Sequence, residues 1–94
     1  MNLTDTVALM ASDDYKERFK AEYLQTKIRY ERLKAFNDEI EAAQITMYSN
    51  GKKVAEPKHD CPHDLLRMQQ GAMGEYLHTL EVRAVIEGID LTVY

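Results

Sequence analysis

The chain has 94 residues, 45% of them hydrophobic and 30% charged, and a net charge of -4. That length fits one domain with a thin core, because a chain of this size buries only about two-thirds of the surface it exposes when unfolded. No apolar run approaches the ~20 residues of a membrane span, and the acidic balance argues against a duplex nucleic-acid binder. Asp5, Asp13 and Asp14 stand where a signal peptide would carry its basic and apolar stretches. Cys61 is the only cysteine, so no intrachain disulfide framework exists and a reducing, cytosolic home is expected.

Charge is unevenly spread. Residues 16–34 hold seven of the twelve basic side chains and three acids, so this segment carries +4 and the remainder -8. The plain reading is a solvated helical face with pairs such as Glu31 near Lys34 and Lys27. The functional reading is a site for a small anion.

Taken in chain order, residues 3–11 predict a short helix. Ser12, followed by Asp13 and Asp14, is a good helix start. A long helix over about 13–44 follows, free of Gly and Pro. Its stripe Phe19, Tyr23, Thr26, Tyr30, Leu33, Asn37, Ile40 alternates steps of four and three, the heptad seam of a packed helix. Residues 45–61 form a connector. Within it Asn50-Gly51, flanked by Ile45–Ser49 and Lys52–Ala55, suits a short hairpin turn, although two strands alone are marginal. Pro62 opens a second helix over about 62–87, and Gly88 is its natural stop. Leu65, Leu66, Met73, Tyr76, Leu77, Leu80 and Ala84 supply its apolar stripe.

The predicted fold is therefore all-α: one domain over residues 1–94, an antiparallel helical hairpin with a short N-terminal helix. Ile28, Phe36, Met68, Val82, Val85 and Ile86 lie off the main seam. They need a second partner, and a further copy of the chain is the simplest one.

Few residues suggest chemistry. His59-x-Cys61-x-His63 has metal-ligand types, but across a helix-starting Pro they make an awkward chelate and no second pair completes a tetrahedral set. A surface loop with a small buried cysteine is the preferred reading. His78 reads as an exposed helical histidine. No nucleophile-base-acid set, paired carboxylates or glycine-rich phosphate loop is readable, so no enzyme and no cofactor is expected. Gly71 and Gly74 are more informative, since each costs about 1 kcal/mol within a helix. They imply either close helix packing or a flat ligand against the small face. Arg67, just before them, offers a planar fork suited to phosphate. Tyrosine is over-used, with six residues against two Phe and no Trp. Most tyrosines at helical spacing are core. Tyr15, beside Lys16 and Arg18 at the start of the long helix, has the weakest core role. An aromatic on which a base stacks contributes ~1–3 kcal/mol, and a helix N-terminus with cations suits its phosphate.

Residues 15–33 (YKERFKAEYLQTKIRYERL) and 65–84 (LLRMQQGAMGEYLHTLEVRA) resemble small phage proteins of the crAss-like type. That group includes the phage anti-CBASS nucleotide sponges. The resemblance implies a compact homo-hexamer of helical hairpins in the host cytoplasm. It would sequester cyclic oligonucleotide second messengers of bacterial immunity without cleaving them, and would bind neither polymeric nucleic acid nor membrane. It also implies that cyclic dinucleotides lie between protomers, held by a tyrosine matching Tyr15 and a cation matching Lys27 or, equally well, Arg29. Cyclic trinucleotides would take a separate pocket around an arginine matching Arg67, with Gln69 and Gly71 nearby. The alternative from a different class is a helical adaptor or inhibitor, with the basic stretch and the apolar surplus as a host-protein interface. An enzyme acting on small phosphates is disfavoured by the absence of paired acids and metal ligands.

Overall fold

A computed structural model describes residues 2–51 and 55–92. Three helices follow in order: α1 (Thr6–Met10), α2 (Tyr15–Asn50) and α3 (His63–Glu87), with no strand among the described residues. The molecule extends 55 × 26 × 21 Å, as a 36-residue helix requires.

Helix α2 starts two residues later than its charge pattern suggests, and its cap is Asp14 rather than Ser12. Asp14 is extended (φ -81°, ψ 118°) and its carboxylate accepts from the Lys16 N–H at 2.9 Å. Ser12 stands outside the helix. Its hydroxyl accepts from the Asp14 N–H at 3.1 Å and donates to Glu17 at 2.5 Å, tying the entering chain to the first turn.

The expected hairpin around Asn50-Gly51 does not form. Residues 45–50 continue α2, and Gly51 ends it at φ 66° with its N–H on the Met47 carbonyl at 3.0 Å. A type I′ turn needs positive φ at two successive residues, whereas one left-handed glycine suffices to stop a helix. Among the described residues no non-glycine has positive φ, Asn50 included. The other half of the expected hairpin, Lys52–Val54, lies outside the described residues.

Pro62 is the residue before α3, so the helix begins at His63. At the other end Gly88 adopts φ 70°, and the Ile89 N–H reaches back to the Ala84 carbonyl at 2.8 Å. This six-residue closure folds Ile89, 7% exposed, onto the core.

The core lies between α2 and α3. Phe19, Tyr23 and Leu24 meet Leu77, Leu80 and Ala84, with Ile89 closing one end. The contacts run in opposite order along the two helices. Tyr15 meets Glu87, Tyr23 meets Glu81, and Asn37 meets Gln70 and the Leu66 carbonyl. Ile40 and Ala43 bury the far part of α2. α1 packs across α2 through fully buried Thr6, whose hydroxyl is satisfied by the Leu3 carbonyl at 2.7 Å.

Two members of the expected α3 stripe turn outward: Leu65 is 53% and Tyr76 41% exposed. Leu65 belongs to a second seam with Met68, Ala72, Glu75, Thr79, Val82 and Ile86, which repeats the three-and-four spacing on the outer face. Val85 and Ile86 on this side are 83% and 78% exposed. Ile28 and Phe36 are half-buried.

Leu80, 1% exposed, is the centre of the α2–α3 seam. Leu80→Ala should cost about 3 kcal/mol in urea unfolding, because the packed seam cannot collapse on the void. A loss below about 1 kcal/mol would mean that the seam repacks.

Candidate ligand-binding site

Helical periodicity brings Tyr15, Glu22 and Arg29, seven residues apart, to one face of α2. Together with Arg18 from the same helix, Met10 from α1 and Arg83 from α3 they line a groove of about 550 Å³. Tyr15 is held at one end. Its hydroxyl donates to Glu87 at 3.0 Å and accepts from Arg83 Nη2 at 2.6 Å, while its ring meets Phe19 edge-on at 6.2 Å. Arg83 lies over the Phe19 ring at 5.1 Å, and its Nε donates to Glu87 at 3.0 Å. That bond to Glu87 holds the Arg83 pKa above its ordinary value. Glu22, on the groove floor, accepts a short hydrogen bond from Tyr76, which raises the Tyr76 pKa. Arg18 donates to the Ser12 carbonyl at 2.8 Å. Three guanidinium groups thus line a groove whose two nearby carboxylates, Glu22 and Glu87, are both already engaged.

A second groove, of about 740 Å³, follows α3. Arg67, Gly71, Gly74 and His78 line it, facing Tyr30 of α2. Spacings of four, three and four keep them on one face of the helix. The two glycines differ in purpose. A Cβ at Gly74 would stand 3.4 Å from the Tyr30 ring, so the missing side chain lets that ring lie close to α3. A Cβ at Gly71 would meet nothing within 4 Å, and no contact within the chain calls for a glycine there. Asn37, 3% exposed, donates to Gln70 at 2.9 Å on the groove wall.

The expected site residues divide between these surfaces. Tyr15 and Arg29 line opposite ends of the first groove, ~21 Å apart along α2; Arg67 and Gly71 share the second. Lys27 is on neither. It is twelve residues from Tyr15, ~18 Å along the axis and a third of a turn round. Its Nζ lies 5.9 Å over the Tyr23 ring, near the tail that follows α3. Gln69 points away from the Arg67 face, and its amide contacts Met73 Sδ at 3.9 Å. Arg83, Tyr30 and Gln70 join the grooves without a sequence signal for it. Their spacing within α2 and α3 is ordinary, and only the inter-helix register gives them partners.

Among the described residues, neither Arg29 nor Arg67 has an ion-pair partner. Cationic forks left in water beside aromatic rings are suited to phosphate and a flat base.

The His59-x-Cys61-x-His63 segment does something else. His59 Nδ1 is 2.6 Å from the Cys61 carbonyl, Nε2 is 3.5 Å from Glu56, and the ring meets Phe36 edge-on at 6.2 Å. The connector is thereby pinned to α2. Cys61 is exposed rather than buried, because the chain turns outward ahead of Pro62. Among the described residues no group of three His, Cys, Asp or Glu is placed to hold a metal, and no helix is long and apolar enough to cross a membrane.

A family model described as Sequestin matches residues 13–86. The chain belongs to the Sequestin family. The matched span takes in all of α2 and nearly all of α3, the two helices that carry both grooves of this Sequestin chain. It also contains both segments that resemble the anti-CBASS nucleotide sponges. No curated protein and no solved structure matches the chain.

Tyr23 underlies Lys27 and is held protonated by its surroundings. Burial, then the 2.7 Å bond to Glu81, pushes its pKa from 10.0 up to about 12. A value above that of the unfolded chain means that this contribution to stability is complete below pH 10 and is lost as pH rises toward about 12. Ultraviolet titration of the folded protein should show Tyr23 ionising latest, after Tyr76, whose bond to Glu22 also delays it. Tyr23→Phe should remove the latest phase, near pH 12; its persistence would assign that phase to another tyrosine.

Proposed function

We propose that this chain is a phage-encoded sponge for cyclic oligonucleotide second messengers. It binds cyclic dinucleotides and cyclic trinucleotides, holds them without cleavage, and so blunts CBASS immunity in the host cytoplasm. The observation that carries this reading is the pair of separate grooves, each with an unpaired guanidinium, Arg29 in one and Arg67 in the other. A cyclic dinucleotide brings two phosphate charges and two flat bases, which match Tyr15 with Arg18 and Arg83 at one end of the first groove and Arg29 at its other end. The second groove is the site for trinucleotides, with Arg67 as the phosphate contact and Gly71 leaving room at the wall.

The working form is a homo-oligomer of antiparallel helical hairpins, a hexamer by the family resemblance. Two observations favour several copies. The outer seam of α3 exposes apolar side chains at both ends, Leu65 and Met68 at one and Val82, Val85 and Ile86 at the other. Lys27 and Arg29 stand ~18 and ~21 Å from Tyr15 along α2, so a compact ligand that touches Tyr15 and either cation reaches that cation on another copy. Walls supplied by neighbours also enclose the ligand, which two helices alone do not. Capture below 1 nM requires more than about 12 kcal/mol, and pre-formed walls keep the ordering cost low. The second reading, a helical adaptor for a host protein, draws on the same uncovered seam and predicts indifference to nucleotides.

Thermal melting against a panel of cyclic di- and trinucleotides tests the proposal. A ligand that binds only the folded state at 100 times its Kd stabilises it by about 2.7 kcal/mol, a shift of several degrees for a domain this size. Chromatography afterwards should recover the ligand intact. Absence of any shift at high excess contradicts the sponge, and recovery of linear products contradicts a non-cleaving one. Arg67→Ala should abolish the trinucleotide shift and spare the dinucleotide shift. Gly71→Ala should leave the unliganded protein as stable or up to ~1 kcal/mol more so, yet weaken trinucleotide binding by filling the space a ligand occupies.

A further inference from the structure

We propose that Arg83 grips a ligand phosphate in the first groove and, through the same guanidinium, sets the pose of Tyr15. The proposal rests on the cyclic-dinucleotide reading above and adds a residue to it that neither the resemblance nor the periodicity singles out.

Arg83 is held from several sides. Its Nε donates to Glu87 at 3.0 Å and one Nη2 N–H donates to the Tyr15 hydroxyl at 2.6 Å. The Tyr15 hydroxyl in turn donates to the other Glu87 oxygen at 3.0 Å. Three side chains thus close a ring of hydrogen bonds between the start of α2 and the end of α3. The Phe19 ring, 5.1 Å below the guanidinium carbon, supports its flat face. A surface Arg–Glu pair four apart on one helix is ordinarily worth little, and it does not need a tyrosine or an aromatic floor. Here those additions fix a fork that would otherwise swing freely.

Donor arithmetic then points to a ligand. A guanidinium has five N–H groups. The ring of bonds uses two and leaves three, and among the described residues these have no partner. Arg83 lines the groove together with Arg18 and Arg29. Two N–H groups on adjacent nitrogens match two oxygens of a phosphodiester. Because Glu87 and Phe19 already order the side chain, binding loses less rotamer freedom than it would with a free arginine. The same contact holds the Tyr15 ring, half-exposed at the groove end, in one orientation as a platform for a base. Phosphate grip and base platform are therefore coupled through one hydrogen bond.

The test uses the full-length protein with cyclic di-GMP, cyclic GMP-AMP and cyclic tri-AMP, titrated in parallel by calorimetry. Arg83→Ala should weaken the dinucleotides that the wild type binds by about 100-fold, as loss of two charge-assisted bonds implies, and leave cyclic tri-AMP within twofold. Arg83→Lys keeps the charge without the fork; it should weaken the dinucleotides about 10-fold and move the phosphorus NMR shift of the bound ligand. Tyr15→Phe, which keeps the ring and loses the bond that poses it, should weaken the dinucleotides and spare the trinucleotide. Dinucleotide binding by Arg83→Ala at the wild-type level overturns the inference and leaves the sponge reading standing. Equal loss of both ligand classes with the assembly intact also overturns it, because a purely structural role would do that. Should Arg83→Ala fail to assemble, Arg83→Lys decides: an unchanged affinity and phosphorus shift overturn the grip. Failure of the wild type to bind any of the three nucleotides overturns the reading and the inference together.

Discussion

Helix α3 has an inner apolar seam, an outer seam that is apolar at both ends, and one neighbouring helix among the described residues. The inner seam, through Leu77, Leu80 and Ala84, is sealed by Phe19, Tyr23 and Leu24. The outer seam, from Leu65 to Ile86, is left in water. Among the described residues no further element covers it. This constraint makes a second copy the economical solution. On the proposed reading, the two grooves are walls that a facing copy completes.

The inner seam also decides which polar groups meet. Its register sets Glu81 opposite Tyr23, Glu87 opposite Tyr15, and Gln70 opposite Asn37. Each hydroxyl or amide reaches across from one long helix to the other, so the seam is apolar along its centre and hydrogen-bonded along its edges. The groove cations border these edge bonds. Arg83 is organised by one of them, and Lys27 stands over the ring of another. Packing, edge bonding and the placement of Arg83 and Lys27 are three consequences of one helix–helix register.

Much of this register is legible in the amino-acid spacing alone. Steps of four and three locate the buried members Phe19, Tyr23, Asn37 and Ile40, because a helix repeats its faces with that period. Leu77, Leu80 and Ala84 are legible for the same reason. What escapes is what periodicity does not encode. Asn50-Gly51 suits a hairpin turn as well as it suits a helix end, and only the backbone angles separate the two. Leu65 and Leu66 are equally apolar neighbours, yet Leu66 is half-buried and Leu65 faces out. Ser12 and Asp14 are both good caps, and Asp14 has the reach to the second helical N–H. Arg83 is silent in the sequence because its partner Tyr15 is 68 residues away along the chain. Membership of the Sequestin family, shown over residues 13–86, is consistent with the reading of the two helices.

The most direct measurement is native mass spectrometry of the purified protein mixed with one cyclic dinucleotide and one cyclic trinucleotide. A sponge with two independent groove types should appear as a single multi-chain assembly that carries both ligands at once, each at its unaltered mass. A lone 94-residue chain, or an assembly on which one ligand class displaces the other or neither remains, would contradict it.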